Sequence, residues 1–571
     1  MKNFTVYVIV IIALISSSAE FSRAQQELKT EKLTLKKISG KISAADNNSG
    51  INLSLNSGKS NQFASSHVKS LSGINSNILS KSFDGQDSPK DKYIPLSQLS
   101  AVQLNKKVDI SSYFPPDYKP WESSRHFGMA VGEGALFNIF IPWAMARYLR
   151  TWDSTSEERW PFIGFQSIWS NLNQGWNYDG DNFLTNLFSH PYGGNLFYNS
   201  GRSNGYNFWE SSAFALAGSY IWETFMETNQ PAINDWVNTG MNGAAFGEIL
   251  YRLSTMITDN TARGSHRVWT EIAGGLVNPV RLFTRLVNGE ISRVFPNPTW
   301  RKPKEFVLKL DAGTRVLLEE DSVHNAGPKE LDGIFEMTIK YGDPYQLNHT
   351  TPFSHFVYNI AIASSSPNLT SMNAIGSLMA FQISDKENVK HTLETTLNYN
   401  YINNPGFLYG AASVVEQLNS YWTVNKRFDI QTRAGIRFIP MGGTPNDYFY
   451  DSVDGRSYDF GQGLGAQASL SLFNNDTWEV FNIQYSMNYI WTQSEPAYSK
   501  HFLQEGSVNL QIPLKDYFVF GIGAGYYKRK SYYFYPEDYF GYNVPGQPET
   551  NAPDVTYQTP ILRVFFKTRI L

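Results

Sequence analysis

Residues 478–492 read WEVFNIQYSMNYIWT. Phe481, Ile483, Tyr485, Met487, Tyr489 and Trp491 alternate with Asn482, Gln484, Ser486, Asn488 and Thr492. Successive strand side chains point to opposite faces, so this period of two predicts a strand with one greasy and one polar face. The same pattern recurs in Phe428, Ile430, Thr432, Ala434, Ile436 and Phe438 against Asp429, Gln431, Arg433 and Arg437. It appears again in Phe335, Met337, Ile339 and Tyr341 against Glu336, Thr338 and Lys340. A soluble sandwich would also alternate, but its apolar face would need a second sheet to cover it. The polar parity decides between them: it carries Lys309, Asp311, Arg315, Glu336, Lys340, Glu394, Asp429, Arg433, Arg437, Arg563 and Lys567. Charges of both signs on one parity point to a polar lumen, with the apolar parity toward lipid.

Working outward, about twelve such segments are expected, near 305–317, 331–342, 352–366, 371–384, 388–402, 406–424, 427–440, 456–473, 477–493, 500–514, 516–529 and 555–571. Each is long enough to cross a bilayer at a tilt, and an even count suits a bacterial single-chain barrel. The connections near 385–387, 425–426, 474–476 and 515 are short, whereas those near 318–330, 441–455 and 530–554 are long and fall on the alternate parity. That asymmetry matches short periplasmic turns and longer external loops. In the last segment Leu562, Val564, Phe566 and Ile570 keep the outward face, while the final Leu571 falls on the parity of Arg563 and Lys567. Gly521, Gly523 and Gly525 leave a bare inward stripe, where something can approach the backbone or the wall can bend.

The rest of the chain differs in kind. The aromatic share is 15% and the charged share 17%, with a net charge of -3 and no cysteine. Disulfide and thiolate chemistry are excluded, and nothing marks a nucleic-acid partner. Aromatic rings in such excess suit a membrane interface. Lys2, the apolar run Val6 to Ile15 and Ser22-Arg23-Ala24 have the form of a cleaved signal peptide over 1–24. Residues 25–95, rich in Ser, Asn, Lys and Gly, are expected to form a disordered tether. An α-helical module is expected over 96–300, with its core at about 120–290. The barrel follows over 301–571. The fold class is thus an α+β membrane protein, a transmembrane antiparallel barrel of about 12 strands preceded by a helical domain.

Apolar residues at three and four spacing predict helices over 211–228, 231–254 and 266–289, and another from about 127 to 150 interrupted by Pro142. Gly240, Gly243, Ala244 and Gly247 make one helix face nearly bare, which suits close helix contact. Between helices lies SHPYGGNLFYNSGRSNGYNFWE, Ser189 to Glu210. Its Pro191 and its glycines predict a loop. As a site, His190 would serve as base or ligand, Arg202 as an anion fork, and Glu210 or Asp235 as an orienting acid. As a corner, His190 caps a helix and Arg202 pairs with Glu210. Glu248 and Arg252 are spaced for an ion pair, and Glu223 and Glu227 for a shared face. Glu133, in an apolar run, needs a partner such as Arg147, Arg202 or His266 if buried. No hydrolase triad spacing, zinc motif or phosphate-binding glycine motif appears, so no metal or cofactor is expected.

The stretch DNFLTNLFSHPYGGNLFYNSGRSNGYNFWESS with ETNQPAINDWVNTGMNGAAFGE resembles an uncharacterised envelope family of Gram-negative, Bacteroidota-like bacteria, the domain of unknown function 3943. The corresponding residues are His190, Pro191, Gly194, Tyr198, Arg202, Gly205, Glu227, Pro231, Asp235, Gly240, Gly247 and Glu248. The resemblance implies an envelope location and a shared helical module, and no reaction. Two functions are open. One is a solute-binding or gated pore of the outer membrane with the helices as plug or gate, its partners being lipid, the barrel-assembly machinery and an unknown solute or envelope partner. The other is an envelope lipid or glycan hydrolase or transferase with its site in the helical module.

Overall fold

The computed structural model describes residues 119–149 and 160–570 apart from 319, 322–328, 346–348, 366, 387, 450–454, 475–477, 495–497, 516 and 535–552. The signal peptide, the tether, residues 96–118 of the helical module and Leu571 lie outside the described residues.

Alternation delivers what it predicts. Twelve strands form the barrel: β1 Phe306–Leu318, β2 Lys329–Tyr341, β3 Phe356–Ala363, β4 Leu369–Lys386, β5 Val389–Asn404, β6 Phe407–Thr423, β7 Phe428–Pro445, β8 Tyr458–Asn474, β9 Trp478–Thr492, β10 Tyr498–Lys515, β11 Phe518–Phe534 and β12 Val555–Arg569. Each pairs antiparallel with the next, and β1 pairs with β12, Asp311 opposite Lys567 and Arg315 opposite Arg563, so the sheet closes. Closure leaves no unpaired edge in lipid. A two-residue segment, Glu320–Asp321, adds to β12 beyond the end of β1.

Contacts across the cylinder identify its inside. Lys340 of β2 lies 5.7 Å from the Phe473 ring of β8, and Phe407 of β6 stacks on Tyr527 of β11. Strands so far apart in the closed order meet only through the lumen, and all four side chains share the parity of the charges. The other parity is therefore the outer wall. Over β7 to β12 it is bare and apolar: Ile436, Leu464, Leu510, Ile522, Leu562 and Phe566 are each more than half exposed. The inward glycines are covered, Gly521 by the Phe565 ring and Gly523 by the Arg563 stem, so the close-approach reading of that stripe holds.

The helices are α1 Phe127–Leu149, α2 Phe165–Asn173, α3 His190–Arg202, α4 Phe208–Ile221, α5 Ile233–Val237, α6 Gly243–Ile257, α7 Gly264–Val277 and α8 Pro279–Val287. π-turns interrupt them at Ala135–Phe140 within α1, Thr185–Ser189 before α3, Trp222–Met226 after α4 and Asn238–Asn242 before α6. Among the described residues α1 is the helix long and apolar enough to cross a membrane. Pro142 does not end it, because the π-turn just before that proline rearranges the hydrogen bonds there. The 266–289 helix is two helices, broken at Asn278, whose side chain accepts from the Arg281 N–H at 3.0 Å and caps α8.

The loop expected from Ser189 to Glu210 is mostly a helix. Its glycines are contact points rather than breakers. A Cβ on Gly194 would run into the Thr239 carbonyl, and one on Gly243 would lie 2.5 Å from the Gly194 Cα. Pro191 sits in the first turn, where a missing N–H costs no helix bond. The bare face of Gly240, Gly243, Ala244 and Gly247 is where α3 and α4 press in, Tyr198 over Gly247 and Leu216 over Gly240.

The helical module packs on the outer wall. Phe246 stacks on Tyr358, Phe183 packs on Tyr401 and Tyr458, and Leu187 sits over Gly410. One continuous core joins these residues to Met337, Ile339, Tyr341, Met372 and Tyr399, all of outward parity. The described helices thus lie beside the barrel. The module's far side is apolar as well, with Phe127, Phe140, Phe165, Trp169, Val268, Trp269, Ile272, Leu276 and Val287 exposed.

Candidate functional site

Two places gather chemistry, the lumen and the polar interior of the helical module. In the lumen every expected charge takes the inward face, and most find partners within the barrel. Arg315 pairs with Asp332 and donates to Thr370 Oγ1. Arg563 bridges Asp311 and Glu336, and Lys567 adds a contact to Asp311 at 3.2 Å. Arg433 reaches Asn419, Arg437 reaches Asn488 and Gln467, and Glu394 accepts from Gln417 and Asn419. Lys309 and Asp429 are buried on the same face.

Toward the end bearing the long connections, the lumen changes character. Ile402, Phe407, Tyr409 and Ala411 meet Ile439, Ile490 and Leu503, with Tyr527 packed against them. The Phe407 and Tyr527 rings are 4.6 Å apart and inclined by 9°. Thr559 Oγ1 donates to the Gly406 carbonyl at 3.0 Å beside them. Ile439 and Ile490 are fully buried within this layer, which packs side chains of β5, β6, β7, β9, β10 and β11 together in the lumen. Beyond it Arg529 pairs with Asp447, and His501 bonds Ser499 and Ser531.

The helical module has its polar groups inside and apolar groups outside. Glu248 accepts from Arg202 Nε at 2.9 Å, Arg252 Nε at 2.8 Å and Tyr198 Oη at 2.7 Å. Burial would raise its carboxyl, but the two guanidinium groups outweigh that and hold it below the usual carboxylate range. Arg252 also donates to the Pro352 carbonyl at the barrel end. A second network joins Arg285 to Glu271 and Glu290, and Arg267 to Glu271. Glu133 is buried and takes its bonds from Asn204 and Thr284, not from the three expected cations.

A third cluster collects at the π-turns. His190 follows one of them, Asp235 precedes another, and Glu223 lies within a third. His190 Nε2 is 3.6 Å from Asp235 Oδ1, and Asp179 joins them, with one ligand-type atom from each residue within 4.8 Å of the others. Asn234 donates to both aspartates, at 2.9 and 2.8 Å, and Asn186 donates to Asp179 at 2.6 Å and to Tyr458 Oη at 2.7 Å. Burial, then Asp179 and Glu223, push the Asp235 carboxyl up, and burial takes Glu223 to about 8. Burial lowers His190, opposed by Asp179.

Of the residues picked from sequence, the fold thus unites His190 with Asp235 and sends Arg202 to Glu248. Glu210 instead caps Asn207 and pairs with Arg125 at the surface. Glu227 lends its backbone carbonyl to Asn171. The Glu248–Arg252 pair forms as its spacing predicts. Asn186 and Asn234 were missed as site residues, and Asp179 stood out only as an acid just before the Ser189–Glu210 stretch. Asn234 lies in a different segment from Asp179 and Asn186, and no short motif could join the three. The lumenal layer was missed too, though its signal was present: Tyr489-Ile490-Trp491 and Phe438-Ile439 put apolar residues on both parities.

Comparison with known proteins follows the same division. Residues 175–280, which hold all of the third cluster, match the family described as Domain of unknown function (DUF3943). No curated protein matches the chain by sequence. Among solved structures, the NanC porin shares 9% identity and a TM-score of 0.19, covering 43% of this chain and 98% of that one. The Pseudomonas putida toluene transporter TodX shares 6% identity and a TM-score of 0.20, covering 47% of this chain and 90% of that one. Acinetobacter baumannii OccAB1 shares 7% identity and a TM-score of 0.17, covering 47% and 98%. Residues 175–280 are thus similar to the DUF3943 family, and this part of the chain packs on the outer wall of a closed twelve-stranded antiparallel barrel.

Proposed function

We propose that this protein is a gated pore of the outer membrane, held closed by the apolar layer in its lumen and braced from outside by the helical module. The observation that carries the reading is the stack of Phe407 on Tyr527 across a lumen otherwise lined by charges. An apolar constriction stops polar solutes by excluding water, and separating its rings restores a wet path. The charged lumen on one side suits small polar or ionic solutes.

The brace lies on the gate strands themselves. Tyr401 and Gly410 face Phe183 and Leu187 outside, while their neighbours Ile402, Tyr409 and Ala411 face the layer inside. A shift of the helices therefore moves the wall that holds the gate. Outer-membrane placement is supported by the exposed apolar band of β7 to β12 and by its continuation over the helices. Swelling of liposomes loaded with an impermeant sugar tests the reading: the wild type is expected to be tight to small amino acids and ions, and Phe407→Ala with Tyr527→Ala to be leaky.

The second reading, lipid or glycan hydrolysis or transfer, has one observation in its favour, the His190–Asp235 approach inside a module flanked by lipid. Loss of a lipid-remodelling activity on His190→Ala, with the barrel still folded, would support it.

A further inference from the structure

We propose that Asp179, His190 and Asp235 form a binding site for one divalent transition ion, of the Zn2+ or Mn2+ class, inside the helical module. The site is separate from the lumen and independent of whether the pore opens.

Three ligand-type atoms, one imidazole nitrogen and two carboxylate oxygens, already lie within 4.8 Å of one another. Bonds of about 2.1 Å place neighbouring ligands of such an ion roughly 3.0–3.4 Å apart. His190 Nε2 and Asp235 Oδ1 stand at 3.6 Å, too long for a good hydrogen bond and close to that spacing. The remaining distances, within 4.8 Å, would contract as the ion binds, and water would fill the rest of its shell. A mixed nitrogen and oxygen set suits Zn2+ or Mn2+ better than the soft thiophilic ions.

Asn186 is fully buried and reaches into the cluster, its amide nitrogen on Asp179 Oδ1, yet its carbonyl oxygen has no hydrogen-bond partner. A buried amide oxygen left bare costs about 1–3 kcal/mol, and a cation or its bound water would satisfy it. Asn234 and Asn186 hold both aspartates by their oxygens, as the outer partners of a metal site orient its ligands. Charge adds to this. Asp179 and Asp235 bring two carboxylates within 4.8 Å of each other. The neighbouring cation, Arg456, gives Nη1 to the backbone carbonyls of Tyr178 and Asp179. Two positive charges at the centre would offset what the side chains leave unbalanced.

The ligands also flank two of the π-turns. Asp179 precedes the Thr185–Ser189 turn, His190 follows it, and Asp235 precedes the Asn238–Asn242 turn. An ion would pin these segments to each other and, through Asn186 and Tyr458, to the outer wall of β8.

The test uses the full chain folded in detergent micelles, stripped with chelator and titrated with Zn2+ and then Mn2+ by calorimetry. The expected result is one equivalent bound, with Asp235→Asn and His190→Gln each weakening binding at least tenfold. Glu210→Gln, an exposed carboxylate outside the cluster, is expected to bind as the wild type does. No binding by the wild type, or unchanged binding in both cluster variants, overturns the proposal. Should either variant fail to fold, X-ray absorption of the wild-type zinc form decides: one imidazole among oxygen ligands supports the site, and a shell without imidazole or with several overturns it.

Discussion

Leu187 of the helical module rests on the bare backbone of Gly410 in β6, and its carbonyl accepts the hydroxyl proton of Tyr399 on β5. A Cβ at Gly410 would stand 2.6 Å from Leu187 Cγ. This contact holds the helices against the strands that carry the lumenal layer. Gly410→Val is expected to lever the helices off that wall at a cost of about 1–3 kcal/mol. Hydrogen exchange over Thr185–Ser189 should speed up while the barrel strands stay protected. Unchanged exchange there would mean the contact bears no load.

Glu248 gives a sharper energetic test. It is fully buried between Arg202 and Arg252, and removing one member of a buried ion cluster costs roughly 3–5 kcal/mol. Glu248→Gln strands two guanidinium groups, so thermal unfolding of the helices should shift down well before the barrel melts. Arg202→Lys should cost less, because Lys keeps the charge and loses the fork. Equal melting of all three forms would contradict the core assigned to this cluster.

Close packing between α3 and α6 depends on residues without side chains. Gly194→Ala is expected to cost about 1–3 kcal/mol because its methyl meets the fixed Thr239 carbonyl rather than a movable side-chain tip. Gly128→Ala, in open space on α1, should be neutral or stabilising. Paired chemical denaturation curves check the contrast.

The apolar outside of the module predicts where lipid touches it. Val268, Trp269, Ile272 and Leu276 form an exposed stripe on α7 at helical spacing. With Trp269 as the sole introduced difference, Trp269→Phe in brominated-lipid vesicles should remove part of the quenched tryptophan signal. Ile272→Lys should weaken the fold in bilayers by about 2–3 kcal/mol. If quenching is the same with and without Trp269, the stripe faces water.

How much of this was readable from residues depends on the period. Twelve strands, their closure and the inward charges followed from alternation, because a wall between lipid and a polar lumen imposes it residue by residue. Ile490 and Ile439 show where that rule runs out: they are apolar side chains on the polar, inward parity, which a search for alternation counts as irregularity. His190 shows another limit. Gly193, Gly194 and Gly201 read as breakers in isolation, and only the neighbouring α4 and α6 show that at Gly194 and Gly201 they are contact surfaces. The Asp179–His190–Asp235 cluster joins three segments whose spacing in sequence carries no motif. The location of the helices was equally hidden, since an exposed apolar stripe and a buried one have the same spacing.

The gate is tested most directly by single-channel recording in planar bilayers with the full chain and its Phe407→Ala/Tyr527→Ala variant, both checked for heat-modifiable barrel mobility. The account predicts a silent or rarely opening wild type and long-lived conducting openings in the variant. A variant as silent as the wild type, with its barrel intact, would contradict the gated pore and leave the barrel as a closed support for the helical module.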